Sequence, residues 1–164
     1  LTHRWKNDMD LADWRMSEKL HGVRAWWNGQ QLLSRQGNNF LAPAWFTDEL
    51  PDTPLDGELW MDRKSFQWTV SIVRRQDRSD HWKQIQYVVF DAPSLDAPFE
   101  ERLSFVTKCV NEIDSSVIAV LKHQCCKELD HLPSEPERIE YWAVKDSRCA
   151  RSVSGMRFAD RHYC

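Results

Sequence analysis

Along the first half of the chain, short apolar runs alternate with turn residues. No stripe repeats every 3.6 positions, so the pattern predicts antiparallel β structure. The clearest unit is Val23-Arg24-Ala25-Trp26-Trp27, then Asn28-Gly29, then Gln30-Gln31-Leu32-Leu33-Ser34-Arg35. Asn-Gly between two such runs predicts a hairpin with a two-residue turn, because both turn positions take positive φ. Leu55 to Met61 predicts a further strand after the turn region Pro51 to Pro54, and Ile85 to Asp91 predicts the most apolar one, ended by Ala92-Pro93. Pro98-Phe99-Glu100-Glu101-Arg102-Leu103 starts an amphipathic helix running to about Ile113, with proline in the first turn and acids near the positive end of the dipole. Ser116 to Leu121 predicts a short strand. Beyond it the pattern fades: Leu132 to Arg138 holds two prolines, and Ser147 to Cys164 shows neither alternation nor helical period.

Composition narrows this α+β reading. With 164 residues, 41% hydrophobic and 12% aromatic, the chain can build one core. Its nine Trp residues sit among charged neighbours, as in Trp26-Trp27 and Tyr141-Trp142, not in a continuous apolar run. No stretch approaches the roughly 18 apolar residues of a membrane span, so no membrane partner is expected. Leu1-Thr2-His3-Arg4-Trp5-Lys6 has no apolar run behind its charges and does not read as a signal peptide. Cys109, Cys125, Cys126, Cys149 and Cys164 make an odd count without CxxC spacing, which indicates neither a zinc site nor a disulfide framework. A net charge of −3 means that any contact with nucleic acid must be local.

The sharpest chemical constellation is Glu18-Lys19-Leu20-His21-Gly22-Val23-Arg24, which places a lysine at a strand edge beside a glycine and an arginine. A lysine amine attacks phosphorus only when unprotonated, a state favoured by desolvation or neighbouring cations such as Arg24. Leu55-Asp56-Gly57-Glu58-Leu59 sets two carboxylates at alternate positions, hence on one face of a strand, suited to a metal ion or a ribose hydroxyl. Tyr87-Val88-Val89-Phe90-Asp91 ends an apolar strand with an aromatic ring, suited to stacking on a base, and an acid.

In this order, the three sites resemble the covalent nucleotidyltransferase superfamily of DNA ligases, RNA ligases and capping enzymes. Its motifs K-x-D-G-x-R, D-G-E and an apolar strand ending F-D have counterparts in Lys19 through Arg24, Asp56 through Glu58, and Phe90-Asp91. Met16-Ser17-Glu18-Lys19, Leu33 through Asn38, Ala42-Pro43-Ala44-Trp45-Phe46 and Ile72-Val73-Arg74-Arg75-Gln76 look like stretches of the minimal bacterial ATP-dependent DNA ligases. The resemblance covers roughly residues 3 to 130. It implies an antiparallel-sheet adenylation domain, represented by its N-terminal part over 1–142 and without the OB-type domain that clamps DNA. It implies Lys19 as the nucleophile toward the α-phosphate of ATP, with Glu18 among the nucleotide-binding residues. Arg24 and Arg35 would contact the sugar and phosphate side, Glu58 the ribose or the metal, and Phe90 the adenine. Mg²⁺, ATP, nicked duplex DNA and a monomeric state complete the expectation. The resemblance leaves the compartment, bacterial cytoplasm or periplasm, open.

Two departures qualify it. His21 stands where the family has Asp, and an imidazole is neutral or cationic and cannot accept as a carboxylate does; slower or lost lysine adenylylation is expected. After residue 130 neither the family's G-G-E-G run nor a K-x-K pair is found in frame. Trp142 through Cys149 can be encoded as TGG GCG GTG AAG GAT TCA CGC TGC, which in another frame reads Gly-Gly-Glu-Gly-Phe-Thr-Leu. Out-of-frame translation over 143–164 is therefore expected. The alternative to a working ligase is a catalytically inactive remnant or a nucleotide- or nucleic-acid-binding module; an aromatic-rich binding face with Trp26, Trp27 and Arg74-Arg75-Arg78 is a third reading.

Overall fold

A computed structural model describes residues 14–75, 79–125 and 142–146. In chain order the elements are β1 (Trp14–Glu18), β2 (Val23–Trp27), β3 (Leu32–Ser34), α1 (Ala44–Thr47), β4 (Leu55–Trp60), α2 (Phe66–Val73) and a 3-10 turn (Asp80–Gln84). They continue with β5 (Gln86–Asp91), α3 (Phe99–Ile113), β6 (Ile118–Val120), β7 (His123–Cys125) and β8 (Trp142–Asp146). Five strands form one sheet in the order β3-β2-β4-β5-β6, and three form another in the order β7-β1-β8. The α+β class read from the sequence holds, with antiparallel pairing throughout except between β5 and β6. That pair is parallel because α3 carries the chain back across the sheet, a crossover that only parallel neighbours require.

Strand alternation divides the five-stranded sheet into two faces. Ala25 and Trp27 of β2, Leu32 of β3, Leu55 and Leu59 of β4, and Tyr87 and Val89 of β5 point into the core. There they meet Phe46, Ile72, Val73, Trp82, Val106 and Val110 from the helical segments, so the helices cover this face. Tyr87 is fully buried, its hydroxyl within hydrogen-bonding distance of the carbonyls of Leu55 (2.9 Å) and Ala25 (3.1 Å). Gly57 makes room for it: a Cβ there would stand 2.7 Å from the Tyr87 ring and from the Val88 carbonyl oxygen. Arg24, Trp26, Glu58, Trp60 and Phe90 occupy the opposite face.

The structure corrects two sequence expectations. The β2–β3 hairpin forms, but Trp27 pairs with Leu32, so the loop is four residues long instead of two. Gly29 alone takes positive φ (96°), because the Asn28 side chain accepts from the N–H groups of Gln30 and Gln31 and holds Asn28 out of the left-handed region. Phe66–Val73, within the half read as β structure, is a helix whose Thr69, Ile72 and Val73 are buried. Its β-branched residues suggest a strand, but three buried side chains at helical spacing against β2 and β4 decide the outcome. Trp142–Asp146 pairs with β1 over its whole length. The two prolines of 132–138 and the stretch 147–164 lie outside the described residues.

Candidate active site

Lys19 stands one residue beyond β1, exposed, and Leu20-His21-Gly22 carry the chain into β2. This short link lies tight against β4. A Cβ at Gly22 would collide with the Leu59 carbonyl oxygen, so only glycine allows the approach. From that position the Gly22 N–H donates to Glu58 Oε1 at 2.6 Å. The motif glycine and the motif glutamate thus lock the lysine loop onto the sheet.

The β2–β4 register puts Arg24 directly opposite Glu58. Arg24 reaches along the face to Asp56, donating from Nε to Oδ1 (3.1 Å) and from Nη2 to Oδ2 (2.6 Å). This bidentate pair is charge-assisted and its carboxylate is nearly inaccessible to water. The guanidinium carbon of Arg24 also lies over the Phe90 ring, 5.4 Å from its centre. Three strands therefore present Arg24, Asp56, Glu58 and Phe90 to one another on the face the helices leave open.

The Glu58 carboxyl is pushed up to about 7, first by burial and secondarily by the neighbouring Asp56 charge. The Gly22 N–H, Arg24 and Lys19 act against that rise. Lys19 is thus within the electrostatic environment of Glu58 although its own side chain is exposed. Glu18 forms an ion pair with Arg63 at 2.6 Å, which ties the end of β1 to the link after β4. Arg35 is exposed in the turn directly after β3. His21 is exposed in the lysine loop.

Strand parity puts Asp56 and Glu58 on one face and the resemblance singles out Glu58; the structure gives the two carboxylates different surroundings. Both Asp56 oxygens are held by Arg24, whereas Glu58 Oε2 accepts no hydrogen bond from the described residues. No group of three His, Cys, Asp or Glu side chains among the described residues forms a metal cage. A single carboxylate oxygen together with nucleotide phosphates is nonetheless a normal ligand set for Mg²⁺, so the residues fit an ion arriving with the nucleotide. One participant was missed: Arg63 as the partner of Glu18 carries no local signal, because 45 residues separate them in sequence.

No protein-family model matches the chain. A DNA ligase of Haemophilus influenzae is 35% identical over 126 residues, covering 77% of this chain and 47% of that protein, so the chain spans about half the length of this curated relative. Among solved structures, one from work on DNA binding with a minimal scaffold in Lig E DNA ligases superimposes with a TM-score of 0.80 at 29% identity, covering 88% of this chain and 60% of that one. The Chlorella virus DNA ligase-adenylate shares the fold, with a TM-score of 0.71, 18% identity and coverage of 93% and 61%. The fold is that of a ligase adenylation domain. In sequence and fold the chain is similar to the minimal DNA ligases.

Proposed function

We propose that Lys19 forms a lysyl-AMP phosphoramidate with ATP and that the AMP then activates the 5′-phosphate of a nick in duplex DNA. The observation that carries this reading is the shared register, which gathers Arg24, Glu58 and Phe90 on one face beside the lysine loop. The Lys19 amine attacks the α-phosphorus, a P–N bond forms, the bond to the β-phosphate oxygen breaks, and pyrophosphate leaves as the amine gives up its proton. A 5′-phosphate oxygen next takes the AMP from Lys19, and the adjoining 3′-hydroxyl displaces AMP to close the strand. Arg24 and Arg35 contact sugar and phosphate, Glu18 flanks the nucleophile, and Phe90 offers its ring to adenine. Glu58 holds the ribose or a Mg²⁺ ion, which supplies charge neutralisation at the phosphates when bound. The unit acts as a monomer on breaks arising in replication, repair or recombination.

His21 supports reduced activity. The lysine loop carries an imidazole where the resemblance implies a carboxylate, and favours the second reading, an inactive nucleotide- or nucleic-acid-binding remnant. In the adenylation-domain reading, 1–142 is its N-terminal part and 143–164 is out-of-frame translation. The frameshift would lie upstream of Trp142, and genomic sequence lacking GGCGGTGAAGGA-like bases near codon 142 would refute it. The direct test incubates the chain with Mg²⁺ and ATP labelled at the α-phosphate, beside Lys19→Ala and His21→Asp. Label that survives denaturation, disappears with Lys19→Ala and rises about tenfold or more with His21→Asp is expected. No label on the parent or on His21→Asp supports the remnant.

A further inference from the structure

We infer that the first turn of α3 is a brace that sets the lysine loop against the base-stacking strand, with Arg102 as its central positioning residue. The inference rests on the proposed adenylation chemistry for its consequence, but its geometry stands independently. Among the described residues the two sheets share no strand, so no backbone ladder there fixes β1, which leads into Lys19, relative to β5, which carries Phe90. Side chains from one turn of α3 reach both sheets.

Arg102 is 5% exposed and faces Asp91, the residue after Phe90. Its Nε donates to Asp91 Oδ1 at 2.8 Å and its Nη2 to Oδ2 at 3.3 Å, while Nη1 donates to the Ala97 carbonyl at 2.7 Å. Asp91 Oδ1 also accepts from the Ala92 N–H at 2.9 Å. Asp91 points into the core while its neighbour Phe90 points to the site, so fixing one carboxylate fixes the direction of the adjacent ring. On the other side, the Phe99 ring packs edge-on against His123 of β7 at 5.4 Å, with the Arg102 guanidinium 5.8 Å from the Phe99 centre. His123 pairs with Ser17 of β1, two residues before Lys19. Glu100 adds an ion pair to Arg15 of β1 at 3.7 Å. Phe99, Glu100 and Arg102 therefore hold β7, β1 and β5 at once.

A buried ion pair is a poor stabiliser but a good determinant of geometry, and the planar fork of arginine cannot be replaced by the single ammonium of lysine. Arg102 touches neither the lysine loop nor the nucleotide-facing side chains in this arrangement; it acts through Asp91 and Phe99.

The test compares Arg102→Lys and Asp91→Asn with Lys108→Gln, an exposed control on the same helix. Amide hydrogen exchange of Arg15–Ser17 and of Val23–Trp27 is read alongside single-turnover labelling by α-labelled ATP over a range of ATP concentrations. In Arg102→Lys the Arg15–Ser17 amides should exchange about tenfold faster while Val23–Trp27 holds, and the labelling rate at saturating ATP should fall about tenfold, as for outer-shell partners of other sites. Lys108→Gln should match the parent in both. Unchanged exchange of Arg15–Ser17 in folded Arg102→Lys overturns the brace, whatever the labelling does. If the parent takes no label, the adenylation reading fails and the exchange comparison alone decides the brace. If Arg102→Lys does not fold, Asp91→Asn, which keeps the side-chain shape, provides the same comparison.

Discussion

Glu58 is the residue whose environment changes its chemistry most. Its folded-state carboxyl lies near 7 and its ordinary value is 4.5, so between those values the native chain keeps a proton that the unfolded chain has lost. Stability is therefore greatest below about pH 4.5 for this group and declines as pH rises through 7, by about 3 kcal/mol in total. Glu58→Gln should remove that slope, leaving urea midpoints at pH 5 and pH 8 closer together than in the parent. A parent that shows no decline over this range would contradict the burial of the carboxyl. Tyr87 behaves differently: burial first, and the Asp56 charge second, hold its hydroxyl far above its ordinary value, so it stays a hydrogen-bond donor at every usable pH. Tyr87→Phe should cost about 1–3 kcal/mol, because the carbonyls of Ala25 and Leu55 lose their shared donor in a dry interior. Denaturant titration at neutral pH measures the loss.

At the scale of elements, α2 is the instructive case. Phe66-Gln67-Trp68-Thr69-Val70-Ser71-Ile72-Val73 has the β-branched content of a strand, yet its buried positions fall at 69, 72 and 73, three and four residues apart. Trp68, on the outer side, is held by the Arg75 guanidinium at 5.6 Å and by an edge contact with His81 at 5.4 Å. Ile72→Ala should cost about 2–5 kcal/mol by opening a cavity against β2 and β4, whereas Ser71→Ala on the exposed side should change little. Strand β4 makes the complementary point. Its core face reads Leu55, Gly57, Leu59, and Gly57 is there because the Tyr87 ring occupies the space of a side chain. Gly57→Ala forces β4 and β5 apart and should destabilise the chain by about 1–3 kcal/mol or more, with β4 exchanging faster than β2 in hydrogen exchange.

At the scale of the whole molecule, β1 depends on partners distant in sequence. It pairs with β7 over three residues and with β8 over five, so residues 142–146 supply the longer of its two ladders. A chain ending at Cys125 should expose that edge and self-associate, giving early-eluting species in size-exclusion chromatography at micromolar concentration. A shortened chain that stays monodisperse would mean that β8 contributes little to β1. β1 also leads into the Lys19 loop, which lies beside the face built by β2, β4 and β5.

The sequence by itself determined most strands and named the candidate residues of the site. Period-two alternation located β2, β4 and β5 within a residue or two, proline and acidic residues marked the start of α3, and Lys19, Arg24, Glu58 and Phe90 were readable from spacing and chemistry. These features are local, encoded in neighbours a few positions apart. Tertiary structure decided everything that depends on contact across the chain: the four-residue hairpin loop closed by Asn28, the helical state of Phe66–Val73, the engagement of Asp56 by Arg24, and the pairing of Glu18 with Arg63 and of Asp91 with Arg102. A carboxylate has the same local sequence signature whether it faces an arginine, a backbone amide or a nucleotide. Which one it meets is settled only when strands 30 or more residues apart come into register and burial sets the cost of leaving its charge unpaired.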